Sequence, residues 1–136
     1  MGLAERRAAK DFETKKFPDL KKKIDDAAGF AVAVDVQWDK LALEGQAHLY
    51  EECWEKIYFE PLETALKHVA VDDMGKDALK QGLKKVVITN TDSVHYGDRM
   101  SKLESGVLTL DHKPTTNVGD VQDRIKGIQK TLESAL

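Results

Sequence analysis

Phe30-Ala31-Val32-Ala33-Val34-Asp35-Val36-Gln37-Trp38 sets a bulky apolar side chain at every second position. A period of two marks a strand with one buried face, here Phe30, Val32, Val34, Val36 and Trp38. The other face, Ala31, Ala33, Asp35 and Gln37, is small and then polar. One apolar face predicts antiparallel pairing with helices on one side. Two shorter apolar runs join it as strands: Val86-Val87-Ile88-Thr89-Asn90, and residues 106–111 with Val107, Leu108 and Leu110.

Helical patterns surround these strands. Ala4, Ala8 and Phe12 recur every four residues and predict a first helix over 3–15, rich in charge and frayed at its outer end. Pro18 and Gly29 bracket a second over 19–28, as a first-turn proline and a C-terminal stop do. Leu49, Cys53 and Ile57, then Leu62, Leu66 and Val69, predict a helix over 46–70. Pro61 interrupts it, because proline lacks an N–H and clashes with the preceding turn, so a kink or two abutting helices are expected with Tyr58, Phe59 and Glu60 at the joint. Asp72 or Asp73 caps a further helix through residue 84, with Met74, Ala78, Leu79 and Leu83 as its core positions. Val118, Val121, Ile125, Ile128 and Leu132 step by three and four and define the last helix.

The order is therefore helix, helix, strand, broken helix, helix, strand, strand, helix. This predicts a helix-rich α+β fold, a small antiparallel three-stranded sheet packed by helices. Val32, Val34 and Val36 are expected to be buried with Val121, Ile125 and Ile128. At 136 residues the chain suits a single domain, 1–136. It carries 33% charged residues and a net charge of -3, a soluble globular balance. No apolar run approaches the roughly 18 residues of a membrane helix, and the charged start Leu3-Ala4-Glu5-Arg6-Arg7 reads as no signal peptide. One cysteine, Cys53, excludes an internal disulfide, so a cytoplasmic location is expected.

The charge is unevenly placed. Residues 29–75 hold ten acidic and three basic groups, which disfavours that stretch as a nucleic-acid surface and suits a basic partner. Lys21-Lys22-Lys23 is flanked by Asp19, Asp25 and Asp26, so no nucleic-acid partner is expected. Gly-rich phosphate-binding motifs are missing, and no cofactor is expected.

Chemistry-bearing residue types crowd into 91–105. Asp92, Ser93, His95, Tyr96, Asp98 and Arg99 fall within eight positions, and a histidine near a carboxylate works as a general base. Ser93 lacks the Gly-x-Ser-x-Gly turn of a hydrolase nucleophile. Gly97-Asp98 also reads as an ordinary turn with Tyr96 as its anchor. His48, Glu51, Glu52 and Glu55 lie at helical offsets of three, four and seven, a weak metal pattern without a second copy, and no metal is expected. Cys53 falls on the apolar row and reads as a small buried hydrophobe. Trp54, Tyr58 and Phe59, beside the Pro61 break, are expected with Tyr96 at a ligand or partner surface, and a homodimer follows from them. The function expected is a binding or protein-interaction domain without catalysis, for a protein or small-molecule partner. The alternative is a small acid–base or hydrolytic enzyme using His95 with Asp92 or Asp98.

Overall fold

A computed structural model describes residues 2–136. The N-terminal helices run on without a break: α1 (Leu3–Asp11), a π-helical stretch Phe12–Lys16, and α2 (Phe17–Ala28). The same device recurs in the second helical run. There α4 (Tyr50–Trp54) leads through a π-helical stretch Glu55–Phe59 into α5 (Glu60–Val69). In both cases a proline, Pro18 or Pro61, follows two residues after the stretch ends. The wider turn moves the carbonyl that the proline ring would strike, so helical structure runs on through each proline. The π-type bonds are explicit: Phe17 N–H reaches Phe12 O and Glu60 N–H reaches Glu55 O.

The sheet corrects the expectation in number and direction of strands. It has four strands, β1 (Val34–Val36), β2 (Lys85–Thr89), β3 (Ser101–Glu104) and β4 (Val107–Asp111), in the order β1-β2-β4-β3. The β1–β2 and β2–β4 pairs are parallel, and only β3–β4 is antiparallel. Parallel pairing needs a long crossover, and the helices between β1 and β2 supply it. The extra strand, β3, is short and polar (Ser101-Lys102-Leu103-Glu104), so no apolar alternation marks it within the polar stretch 91–105. It returns to β4 through Ser105-Gly106, both at positive φ, the two-residue turn that suits hairpin twist.

The stretch 30–38 is also less of a strand than its alternation predicts. Val32 N–H donates to the Asp25 carboxylate at 2.8 Å, so α2 takes the place of a neighbouring strand at the start. At the other end Trp38 opens a one-turn helix, α3 (Trp38–Leu41). Asp72 caps α6 (Asp73–Gly82), accepting from Gly75 N–H at 2.8 Å. Met74 lies in the first turn of α6 and is 82% exposed rather than in the core.

Val86, Ile88, Leu108 and Leu110 face the helices and are fully buried, with Ile125, Ile128 and Leu132 of α7 (Val121–Ala135). Val34 and Val121, expected with them, are only partly buried. Phe12 and Phe17 close an aromatic cluster from the N-terminal side. Phe12 meets Trp54 edge-on at 5.1 Å, and Tyr50 stacks on Trp54 at 4.4 Å. Trp54, Tyr58 and Phe59 are thus 0–1% exposed, and the surface expected of them does not exist. Sequence alone does not reveal that the N-terminal helix carries the rings that cover them.

Candidate functional site

The 91–105 segment is anchored by two glycines. Gly97, in the short turn Gly97–Arg99, lies so close to α7 that a Cβ there would stand 2.6 Å from Arg124 N. A Cβ on Gly127 would stand 2.3 Å from Gly97 O. This close approach leaves a cleft of about 400 Å³ between the turn and the first half of α7, lined by Tyr96, Asp98, Asp120, Asp123, Lys126 and Lys130 with the two glycines. None of its five charged side chains forms a close ion pair among the described residues. Tyr96 is 51% exposed at the rim, with the Arg99 guanidinium 5.9 Å from its ring centroid.

His95 stays outside this cleft. Its Nδ1 lies 3.3 Å from the Ser93 carbonyl oxygen, and its ring rests 4.2 Å from that of Tyr96. Neither Asp92 nor Asp98 hydrogen-bonds to it among the described residues, so the residues of the acid–base alternative are near in sequence but not joined. His48 sits in the turn Ala47–Leu49 ahead of α4, Glu51 pairs with Lys16 at 3.1 Å, and Glu52 with Lys56 at 3.0 Å. Among the described residues no group of three or more metal-ligating side chains converges. The offsets 48, 51, 52 and 55 presume one regular helix, and the change of helix type at both ends of α4 breaks it. Cys53 is a buried free thiol, and burial pushes its pKa up, with the Glu52 charge adding to the shift.

The polar groups that sequence reasoning missed lie in the interior. Arg124 is fully buried and makes no carboxylate pair; its Nε donates to Lys56 O at 3.3 Å, Nη1 to Asn117 O at 2.8 Å, and Nη2 to Val118 O. In the π-helical stretch, the N–H five residues after Lys56 would belong to Pro61, which has none, and Arg124 supplies the missing donor. Burial pulls the guanidinium pKa down, against the charges of Asp120 and Asp123. Tyr58 Oη donates to His112 O, and burial, then the Asp111 charge, pushes the phenol far up. His112 Nδ1 lies 2.6 Å from Lys113 O and its Nε2 is buried without a partner. Burial lowers the His112 pKa against the opposing hydrogen bond to the Lys113 carbonyl, with the charges of Arg124 and His95 adding to the fall. Asp111 accepts from Thr91 N and Thr91 Oγ1 at 2.9 and 2.6 Å. Apart from the unpartnered His112 Nε2, these groups tie neighbouring segments of the chain together. The signal for Arg124 was a cation three residues after Val121, on the apolar stripe of the last helix.

Comparison with protein families, curated proteins and solved structures finds no match to this chain. Among the described residues no helix is long and apolar enough to cross a membrane.

Proposed function

We propose that the protein is a non-catalytic binding domain that takes a basic segment of a partner protein into the cleft between the 96–99 turn and α7. The observation that carries this reading is the lining: Asp98, Asp120 and Asp123 border a concave space beside the exposed Tyr96 ring, and none of the three makes a close ion pair among the described residues. An incoming guanidinium or ammonium meets negative charge and an aromatic face together, and the aromatic part contributes about 0.5–1 kcal/mol at an exposed site. Arg99 marks the ring as a face that accepts cations. Lys126 and Lys130, also in the lining, suit an acidic residue further along the same segment.

Lys21 and Lys22 pair with Asp25 and Asp26 at 2.6 and 3.1 Å, which speaks against a free basic face for nucleic acid. A single buried thiol, Cys53, suits a cytoplasmic protein. His95 without a bound carboxylate argues against acid–base chemistry. Calorimetric titration with a short Arg- and Lys-containing peptide, and with its Asp- and Glu-containing counterpart, tests the proposal. Only the basic peptide should bind, and Asp98→Asn with Asp123→Asn should weaken it about tenfold. Equal affinity for the two peptides, or no effect of the two substitutions, would overturn the reading.

A further inference from the structure

We infer that the segment 112–120 is a strap that opens when His112 takes up a proton, and that its opening loosens both walls of the cleft beside α7. As regulation of a partner site the inference rests on the proposed function; as a motion of the chain it stands apart from it. The strap is neither helix nor strand, and a small set of contacts ties it down. Tyr58 Oη donates to His112 O, and the His112 N–H donates to Thr89 O at 3.2 Å. Lys113 N–H donates to Val94 O at 2.7 Å and Asn117 Nδ2 to His95 O at 2.6 Å, which fixes the residues just ahead of Tyr96. Asn117 O and Val118 O accept from Arg124, and Asp120 N–H donates to Asn117 O at 3.0 Å, which sets Asp120 at the start of α7. Tyr96 and Asp120, both in the cleft lining, are thus held by one strap.

A proton added to the closed strap has nowhere favourable to go. His112 is fully buried, and its Nδ1 lies 2.6 Å from Lys113 O, which makes Nδ1 the donor and leaves the lone pair on Nε2. Nε2 is buried without a partner, so protonation there creates a buried N–H with no acceptor on a ring that becomes a cation. The groups packed around the ring do not offset that charge. Arg124 of α7 and His95 of the 91–96 segment oppose it. Tyr58 of the π-helical stretch is a neutral phenol whose proton is engaged by His112 O, and the Thr89 carbonyl of β2 is taken by the His112 N–H. Lys113 brings its carbonyl, already bound to Nδ1. Asp111 of β4 favours the charge, but its two oxygens are bound by Thr91 N–H and Oγ1. Lifting the strap exposes the ring to solvent, where it takes the proton as an ordinary imidazole does. Acid therefore favours the open strap, and a segment held by so few bonds opens at a lower cost than the sheet.

Amide hydrogen exchange of the full chain, with no peptide present, tests the inference, so that a failure of peptide binding and a failure of the strap are read separately. The Lys113 and Asp120 amides report on the strap, and those of Val86 and Gln37 on the sheet. In low urea the strap amides should exchange through an opening of their own that hardly depends on urea, while the sheet amides follow global unfolding. After correction for intrinsic exchange, the strap's opening constant should rise roughly twentyfold from about pH 7 to about pH 5, the ratio for an imidazole of ordinary pKa 6.5 freed on opening. His112→Asn should abolish the rise, and His95→Gln, outside the cleft lining, should keep it. Strap and sheet amides that exchange in one common opening would overturn the inference, as would a strap indifferent to pH; both are read on the unaltered chain. A rise that survives His112→Asn, or one lost in His95→Gln, would overturn it as well.

Discussion

Arg124 and His112 are the two residues whose burial sequence patterns conceal most completely, and they make opposite demands on the fold. Arg124 gathers three carbonyls from two different segments, Lys56 on one side and Asn117 and Val118 on the other. Arg124→Met should lose about 2–4 kcal/mol in urea unfolding, because buried acceptors are left without donors. Arg124→Lys should recover little, since one ammonium cannot span a planar fork of contacts. A loss below about 0.5 kcal/mol for Arg124→Met would remove its role as a clamp. His112 acts through pH. Its folded pKa is depressed, so below the ordinary value of 6.5 the unfolded chain takes the proton first. The stability that neutral His112 contributes is therefore complete above about 6.5 and is lost as pH falls toward its lower folded value. His112→Asn, which retains a donor toward Lys113 O, should flatten the fall in unfolding midpoint between about pH 6.5 and 5. An identical fall in the variant would assign the pH dependence to other groups.

At the scale of elements, local chemistry and tertiary contact compete, and magnitudes decide between them. Gly127 lies inside α7, where alanine would ordinarily favour the helix by about 1 kcal/mol. The Gly97 carbonyl fills the space that the new methyl requires, and it is backbone, which cannot swing aside. Gly127→Ala should therefore destabilise by about 1–3 kcal/mol, the cost of overpacking. A more stable variant would show that the turn is not seated on α7. The π-helical stretches obey the same logic. Pro61 in the sequence announces a disturbance, but not that the preceding turn widens to a π-helical one. The last helix was legible because Ile125, Ile128 and Leu132 keep the helical period. Phe30 and Val32 read as strand in the sequence because a strand and an extended segment bound by the Asp25 carboxylate share the same alternation.

In the whole molecule, the mixture of helices and a small sheet follows from periodicity alone, whereas the direction and number of strands do not. Pairing direction is set by the course of the chain between β1 and β2, and no residue of Val34-Asp35-Val36 carries that information. The candidate site was half legible. Tyr96 and Asp98 stand out in the sequence as part of a dense polar loop, but Asp120, Asp123, Lys126 and Lys130 look like any solvated helix face until Gly97 and Gly127 bring the two together. The central claim is that this cleft, and not the His95 neighbourhood or the acidic stretch 29–75, is where a partner binds. Amide spectra of the labelled chain, recorded during titration with the basic peptide, test it most directly. The account predicts saturable shifts confined to Tyr96 through Arg99 and to the α7 residues Asp123 through Lys130. Shifts centred on Glu51, Glu52 and Glu63, or on His95 and His112 alone, would contradict it.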